Sequence, residues 1–132
     1  KPNETGKEAT LRLIEGVIAQ LKRLRPDAKV IVSSFSHLLL HLFKQRAPEV
    51  PVGCLYERRA LSDDWRSTLE IVGADYIHPE DSGLTRQQVQ EFRAAGYGVN
   101  VWTVNSPSRA NELFNWGVTG VFSDVAHQIP GC

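Results

Sequence analysis

Five strand-type segments alternate with helix-type segments along the chain, and that rhythm limits the possible folds more than any single motif. The strand-type runs begin at residue 29 (KVIVSSF), 52 (VGCLYE), 74 (ADYIHP), 98 (GVNVWTV) and 119 (TGVFSD). Between them lie HLLLHLFKQR, DDWRSTLEIV, TRQQVQEFRAA and PSRANELFNW, each with apolar residues at helical spacing. Ahead of the first strand, residues 4–24 place Leu13, Ile14, Val17, Ile18, Leu21 and Leu24 on one helix face. Strands separated by helices of this length pair in parallel through right-handed crossovers, which gives an α/β fold.

Local chemistry marks the element boundaries. Thr85 followed by Gln88 forms a capping box, and Leu84 with Val89 forms the matching hydrophobic staple, so a helix starts at 85 and ends at Gly96. Ser106 caps the next helix, Pro107 occupies its first turn and Gly117 supplies a left-handed stop. Two architectures use such units. An open five-stranded doubly wound sheet fits 132 residues, whereas a closed (β/α)8 barrel takes roughly 250, of which this chain is about half. Against the open sheet, SSFSH stands after the first strand in place of a Gly-rich phosphate loop.

Composition excludes several classes. The fifteen basic residues balance fifteen acidic ones, so no net field favours nucleic acid or an anionic membrane, and KRLRP reads as a solvated helix end. SHLLLHLF is too short to span a bilayer and carries two histidines. The opening KPNETGKE lacks a basic-then-apolar leader pattern. Cys54 lies in a strand-type run and Cys132 is the last residue, which fits free thiols in a reducing compartment.

Strand parity sorts side chains between the helix layer and the opposite, inward face. Val30 and Val32 suit the helices, leaving Ile31, Ser33 and Phe35 inward; Ile77 faces helices, with Tyr76 and His78 inward; Val99 and Val101 face helices, with Asn100 and Trp102 inward. Parity gives no answer for VGCLYE. The inward set Ser33, Phe35, Tyr76, His78, Asn100 and Trp102 is more polar and aromatic than the Val, Ile and Leu of a packed barrel centre, and it points to a ligand site at the C-terminal strand ends. Each member also has a plainer reading: Trp102 as core packing, His78 as a hydrogen-bonded core histidine, Asn105 and Asp124 as turn or cap residues. Glu80 and Asp81 read as solvated loop carboxylates. His37 and His41 have chelating spacing but no Glu between them as in the zinc-protease motif.

The runs VIVSSF, APEVPVGCLYE, DYIHPE and GYGVNVWTVNSPSRANELFNWGVTGVFSD together resemble the C-terminal half of bacterial glycerophosphodiester phosphodiesterases, particularly the short cytoplasmic type. The most specific pieces are VWTVN before a helix, WGVTGVFSD and the terminal Pro-Gly. The opening KP resembles the end of that family's E-I-K-P strand.

The resemblance implies an α/β fold that is the C-terminal part of a (β/α)8 barrel with parallel strands, as one partial domain over residues 1–132. It implies a phosphoric diester hydrolase that releases glycerol 3-phosphate and an alcohol from glycerophosphodiesters, with Ca²⁺ or Mg²⁺ in the complete enzyme. The family's His-Arg-Gly, Glu-Asn, Glu-x-Asp and His-Asp motifs and the Glu of E-I-K-P are not in this sequence. What carries over is Lys1 as the one catalytic candidate, helping to hold the phosphate, and Phe35 and Trp102 as walls of the substrate pocket. Ser33, His78 and Asn100 join them as substrate-binding candidates from parity, and no metal ligand is assigned. The implied surroundings are cytoplasmic, with a small-molecule substrate and no nucleic-acid or membrane partner. A half-barrel by itself is expected to be inactive and to self-associate through exposed strand edges. The competing reading is a non-catalytic α/β binding or interaction domain.

Overall fold

The computed structural model describes residues 5–123. The elements follow in the expected order: α1 (Gly6–Leu21), β1 (Val32–Ser34), α2 (His37–Arg46), β2 (Val52–Tyr56), a 3-10 turn (Arg58–Ala60), α3 (Trp65–Val72), β3 (Tyr76–Pro79), α4 (Arg86–Ala94), β4 (Gly98–Val101), α5 (Pro107–Trp116) and β5 (Gly120–Val121). The five strands form one parallel sheet in the order β1-β2-β3-β4-β5, so α2 to α5 lie in the crossovers between neighbouring strands.

Capping fixes where the helices begin and end. Thr85 and Gln88 make both halves of the capping box, and the hydroxyl of Ser106 accepts from Arg109 N with Pro107 in the first turn. The α5 stop falls on Gly117 at φ 110°, a left-handed conformation that a residue with a Cβ adopts only at a cost. The strands are shorter than their sequence runs. At 29–35 only Val32–Ser34 pairs, because β1 is at the edge of the sheet and only the register Val32↔Val52 to Ser34↔Cys54 is available.

The core lies between the sheet and its helices. Val52, Cys54, Ile77, Val99 and Val101 are fully buried from the strands, against Leu40, Phe43, Leu69, Val89, Phe92 and Leu113 from the helices. Register settles the strand that parity left open. Cys54 pairs with Ile77 and Leu55 with His78, so Val52, Cys54 and Tyr56 face the helices and Gly53 and Leu55 face inward. The α1 face differs from its expectation. Ile14 is buried and Val17, Ile18 and Leu21 pack at the core's margin, but Leu13 and Leu24 are 55% and 47% exposed. The helix ends at Leu21 and α1 packs on α2, which leaves Leu13 and Leu24 of the apolar stripe uncovered.

Inward-facing side chains of β3 and β4 lie over glycines of adjacent strands. A Cβ at Gly53 would come within 2.5 Å of the His78 ring, one at Gly98 within 2.5 Å of the Tyr76 ring, and one at Gly120 within 2.6 Å of Asn100 Oδ1. Lys44 Nζ donates to Asp75 Oδ2 and to Val50 O, at 3.1 and 3.0 Å, tying α2 to the starts of β2 and β3.

Burial pushes the Cys54 thiol up to about 12, leaving almost no thiolate at neutral pH. In a Cys132→Ser background the native protein at pH 8 should therefore give no fast reaction with a disulfide reagent such as DTNB, and one equivalent once unfolded in urea. Fast labelling of the native protein would put Cys54 at a solvated surface.

Candidate functional site

The expected site residues fall into two connected groups. Ser33, His78 and Asn100 line one cavity of about 1070 Å³ on the inward face, together with Tyr76, Gly120 and Phe122. That cavity runs toward the N-terminal ends of the strands, past Ile31 and Val50. Phe35 and Trp102 sit just beyond the C-terminal ends of β1 and β4, with ring centroids 5.6 Å apart in an edge-to-face pair. The expectation of a single pocket at the C-terminal ends is corrected to an inner layer with an aromatic pair above it. Lys1 and Asp124 lie outside the described residues.

One hydrogen bond joins the two groups. The Trp102 indole Nε1 donates to the carbonyl of His78 at 2.8 Å, which satisfies the ring's polar edge and leaves the side chain half-buried. Trp102 also bridges to Glu80 in parallel register, and the Trp102–Thr103 peptide is cis. Phe35 is 52% exposed, so the pair presents an apolar face to solvent.

His78 is 1% exposed, held over Gly53 and against the Phe122 ring at 5.2 Å. The Asn100 amide Nδ2 donates to His78 Nε2 at 3.1 Å, and the Thr119 hydroxyl lies 3.0 Å from Asn100 Oδ1 and 2.8 Å from Val99 O. With Nε2 accepting, the neutral ring carries its proton on Nδ1, which is buried without a partner among the described residues. Burial lowers the His78 pKa to about 4, so the ring is neutral at physiological pH.

The other sequence candidates have structural partners. His37 Nε2 lies 3.1 Å from Leu55 O and His41 Nδ1 lies 3.1 Å from Ile71 O, so the two rings are directed at different carbonyls. Asn105 Oδ1 accepts from the Ser123 hydroxyl at 3.0 Å, while Ser106 is the cap. Asp81 is a correction. It is an ion-pair partner rather than a solvated carboxylate, accepting from both Nε and Nη2 of Arg109 at 2.9 Å with its side chain 25% exposed. Glu80 Oε1 accepts from Arg58 N at 2.9 Å. Asp81 and Arg109 are far apart in the chain and neither sits in a motif, so no spacing signal could have paired them. Phe122, which shares the inward parity of Gly120, and Thr119, just before β5, were likewise missed.

A parallel α/β sheet whose neighbouring strands are joined by helices defines a protein of the barrel or doubly wound class. The chain belongs to the glycerophosphoryl diester phosphodiesterase family, whose model matches residues 2–127. It is 28% identical over 110 residues to a glycerophosphodiester phosphodiesterase of Caldanaerobacter subterraneus, covering 83% of this chain and 44% of that protein. It is 31% identical over 109 residues to one of Bacillus subtilis, covering 76% of this chain and 36% of that protein. Among solved structures, a phosphodiesterase of Oleispira antarctica in complex with the product sn-glycerol-3-phosphate superposes with a TM-score of 0.83 at 30% identity, over 96% of this chain and 51% of that one. A glycerophosphodiester phosphodiesterase of Parabacteroides distasonis shares the fold at a TM-score of 0.74 and 20% identity. The chain thus spans less than half the length of either sequence relative. Its fold is the expected C-terminal part of a (β/α)8 barrel, and the open doubly wound sheet is set aside.

The pKa of His78 makes stability depend on pH. The unfolded chain binds a proton at residue 78 near pH 6.5, whereas the folded chain resists it until about 4. Stability is therefore lost as pH falls through that window, by on the order of 2 to 3 kcal/mol. Urea unfolding of wild type and His78→Gln between pH 7 and pH 4.5 should show a shallower loss in the variant; parallel slopes would mean that the His78 ring is solvated.

Proposed function

We propose that this chain is one partial domain, the C-terminal part of a barrel that in its full-length protein hydrolyses glycerophosphodiesters to glycerol 3-phosphate and an alcohol. The observation that carries the reading is the superposition of nearly the whole chain on half of the Oleispira phosphodiesterase, a protein solved with sn-glycerol-3-phosphate. Phe35 and Trp102 form the wall against the apolar side of the glycerol backbone. Lys1 helps neutralise the phosphate. Ser33, His78 and Asn100 form the layer beneath, with neutral His78 as a hydrogen-bonding group of the pocket floor rather than a proton carrier.

Phosphodiester cleavage requires charge neutralisation at the phosphoryl oxygens, a base and an acid. A bound Ca²⁺ or Mg²⁺ supplies the first of these in our reading. Among the described residues no three His, Cys, Asp or Glu side chains are grouped to hold such an ion, so they do not fit it and no step is assigned through it here. The contribution of the described residues is to shape the pocket, exclude water and orient the glycerol moiety. No helix among the described residues is long and apolar enough to cross a membrane. A cytoplasmic location belongs to the same reading, consistent with the buried free thiol of Cys54.

The chain by itself should show no metal-dependent hydrolysis of glycerophosphocholine. It should self-associate on size-exclusion chromatography, since β1 and β5 are sheet edges and Leu24, Ile31 and Phe122 are exposed at the inner cavity. Turnover by the isolated chain, or a monodisperse monomer with a sharp urea transition, would favour an independent binding domain. In the full-length protein, Trp102→Ala should lower kcat/KM roughly 10- to 100-fold, about 1.4 to 2.8 kcal/mol. A core Trp instead costs about 3 to 5 kcal/mol of folding stability on truncation. A variant that unfolds easily but keeps wild-type kcat/KM where folded would make Trp102 a packing residue.

A further inference from the structure

Trp102 is held by one short stretch of chain. Its indole donates to His78 O at 2.8 Å, its main-chain N donates to Pro79 O at 3.2 Å, and its carbonyl accepts from Asp81 N at 2.6 Å. Residues 78–81 therefore dictate where the indole lies. His78 and Pro79 are fixed as part of β3, but Asp81 is in the loop beyond it and depends on another anchor.

That anchor is Arg109, in the first turn of α5. Its Nε and Nη2 both reach Asp81 Oδ1 at 2.9 Å, and the pair is only about one-quarter exposed, at 26% and 25%. The guanidinium is itself oriented from two further sides. It lies 4.7 Å above the Trp116 ring and is bonded to Glu112 through Nη1. A planar guanidinium clamped in this way fixes direction as well as distance, which a lysine ammonium at the same place does not.

We infer that Arg109 is a positioning residue for the substrate wall: acting through Asp81, it fixes the carbonyl of Trp102 and so the plane of the indole. The inference rests on the reading of Trp102 as that wall. Arg109 is not among the residues that line the inner cavity, and it reaches the wall through Asp81. Loosening the clamp lets the wall drift, which weakens binding of substrate and transition state alike, so KM rises while kcat holds.

A double-mutant cycle in the full-length protein with glycerophosphocholine tests this. Arg109→Lys should raise KM about 3- to 10-fold with kcat within about twofold, and should add nothing further to KM in a Trp102→Ala background, because coupled residues are not additive. Asp81→Asn, which keeps the shape and removes the charge, should give the same split and serves if the lysine variant folds poorly. A KM rise of equal size in both backgrounds overturns the inference while leaving the wall intact. A fall in kcat at unchanged KM overturns it as well. If Trp102→Ala itself leaves KM and kcat/KM at wild-type values, the wall reading fails and this inference fails with it.

Discussion

The inward face of the sheet depends on close approach between neighbouring strands. The His78 ring, the Tyr76 ring and the Asn100 amide each lie where a Cβ on the next strand would come within 2.6 Å, and in each case that position is glycine. Real Cβ atoms do not approach so closely, so any side chain at Gly53, Gly98 or Gly120 would displace one of these groups. Large inward residues concentrate on β3 and β4 because their neighbours provide the room. This spacing lets Asn100 reach His78 Nε2 and the Thr119 hydroxyl reach Asn100, so three successive strand segments are cross-linked by polar contacts on a face otherwise open to the cavity.

Most of the architecture was legible from local signals. Periodicity and caps placed α2 and α5 at their observed limits, and the Thr85–Gln88 box fixed the start of α4. The alternation gave the parallel pairing, but it left the strand order open between the sequential order of a barrel and the switched order of a doubly wound sheet. Parity worked where one face was uniformly β-branched, as with Val99 and Val101, both fully buried. It failed for β2 because Gly53 has no side chain to report its face and Leu55 is as apolar as Val52. The α1 stripe was over-read at Leu13 and Leu24, since periodicity says which residues share a face but not how much of it a neighbour covers.

The site was legible only in part. Parity correctly gathered Ser33, His78 and Asn100 onto one face, yet it carries no information on height along the barrel axis, so it merged them with Phe35 and Trp102 above. The Asp81–Arg109 pair was invisible for a different reason. Both residues are of types that usually stand in solvent, and the fold brings together a loop and a helix start that the sequence separates by an entire helix and strand. His78 shows the converse. Its type suggests proton chemistry, but near-complete burial lowers its pKa to about 4 and makes it a neutral hydrogen-bonding group.

The geometry also explains why an aromatic rather than a β-branched residue stands at 102. Beyond the last inward position of β4, the chain has left the packed layer of Val99 and Val101, and a valine there would reach nothing across the strand. The indole spans that gap. Its N–H finds the His78 carbonyl and its ring pairs at 84° with that of Phe35, so the polar atom is satisfied while the indole stays half-buried. A core tryptophan would be covered on both faces. Trp102 is instead fixed along one edge by β3 and from behind by Asp81, an arrangement that orders an apolar surface without burying it. In the proposed reading of Trp102 as a substrate wall, holding such a surface rigid before a ligand arrives lowers the entropy cost of binding against it, an advantage of a clamped ring over a flexible aliphatic chain.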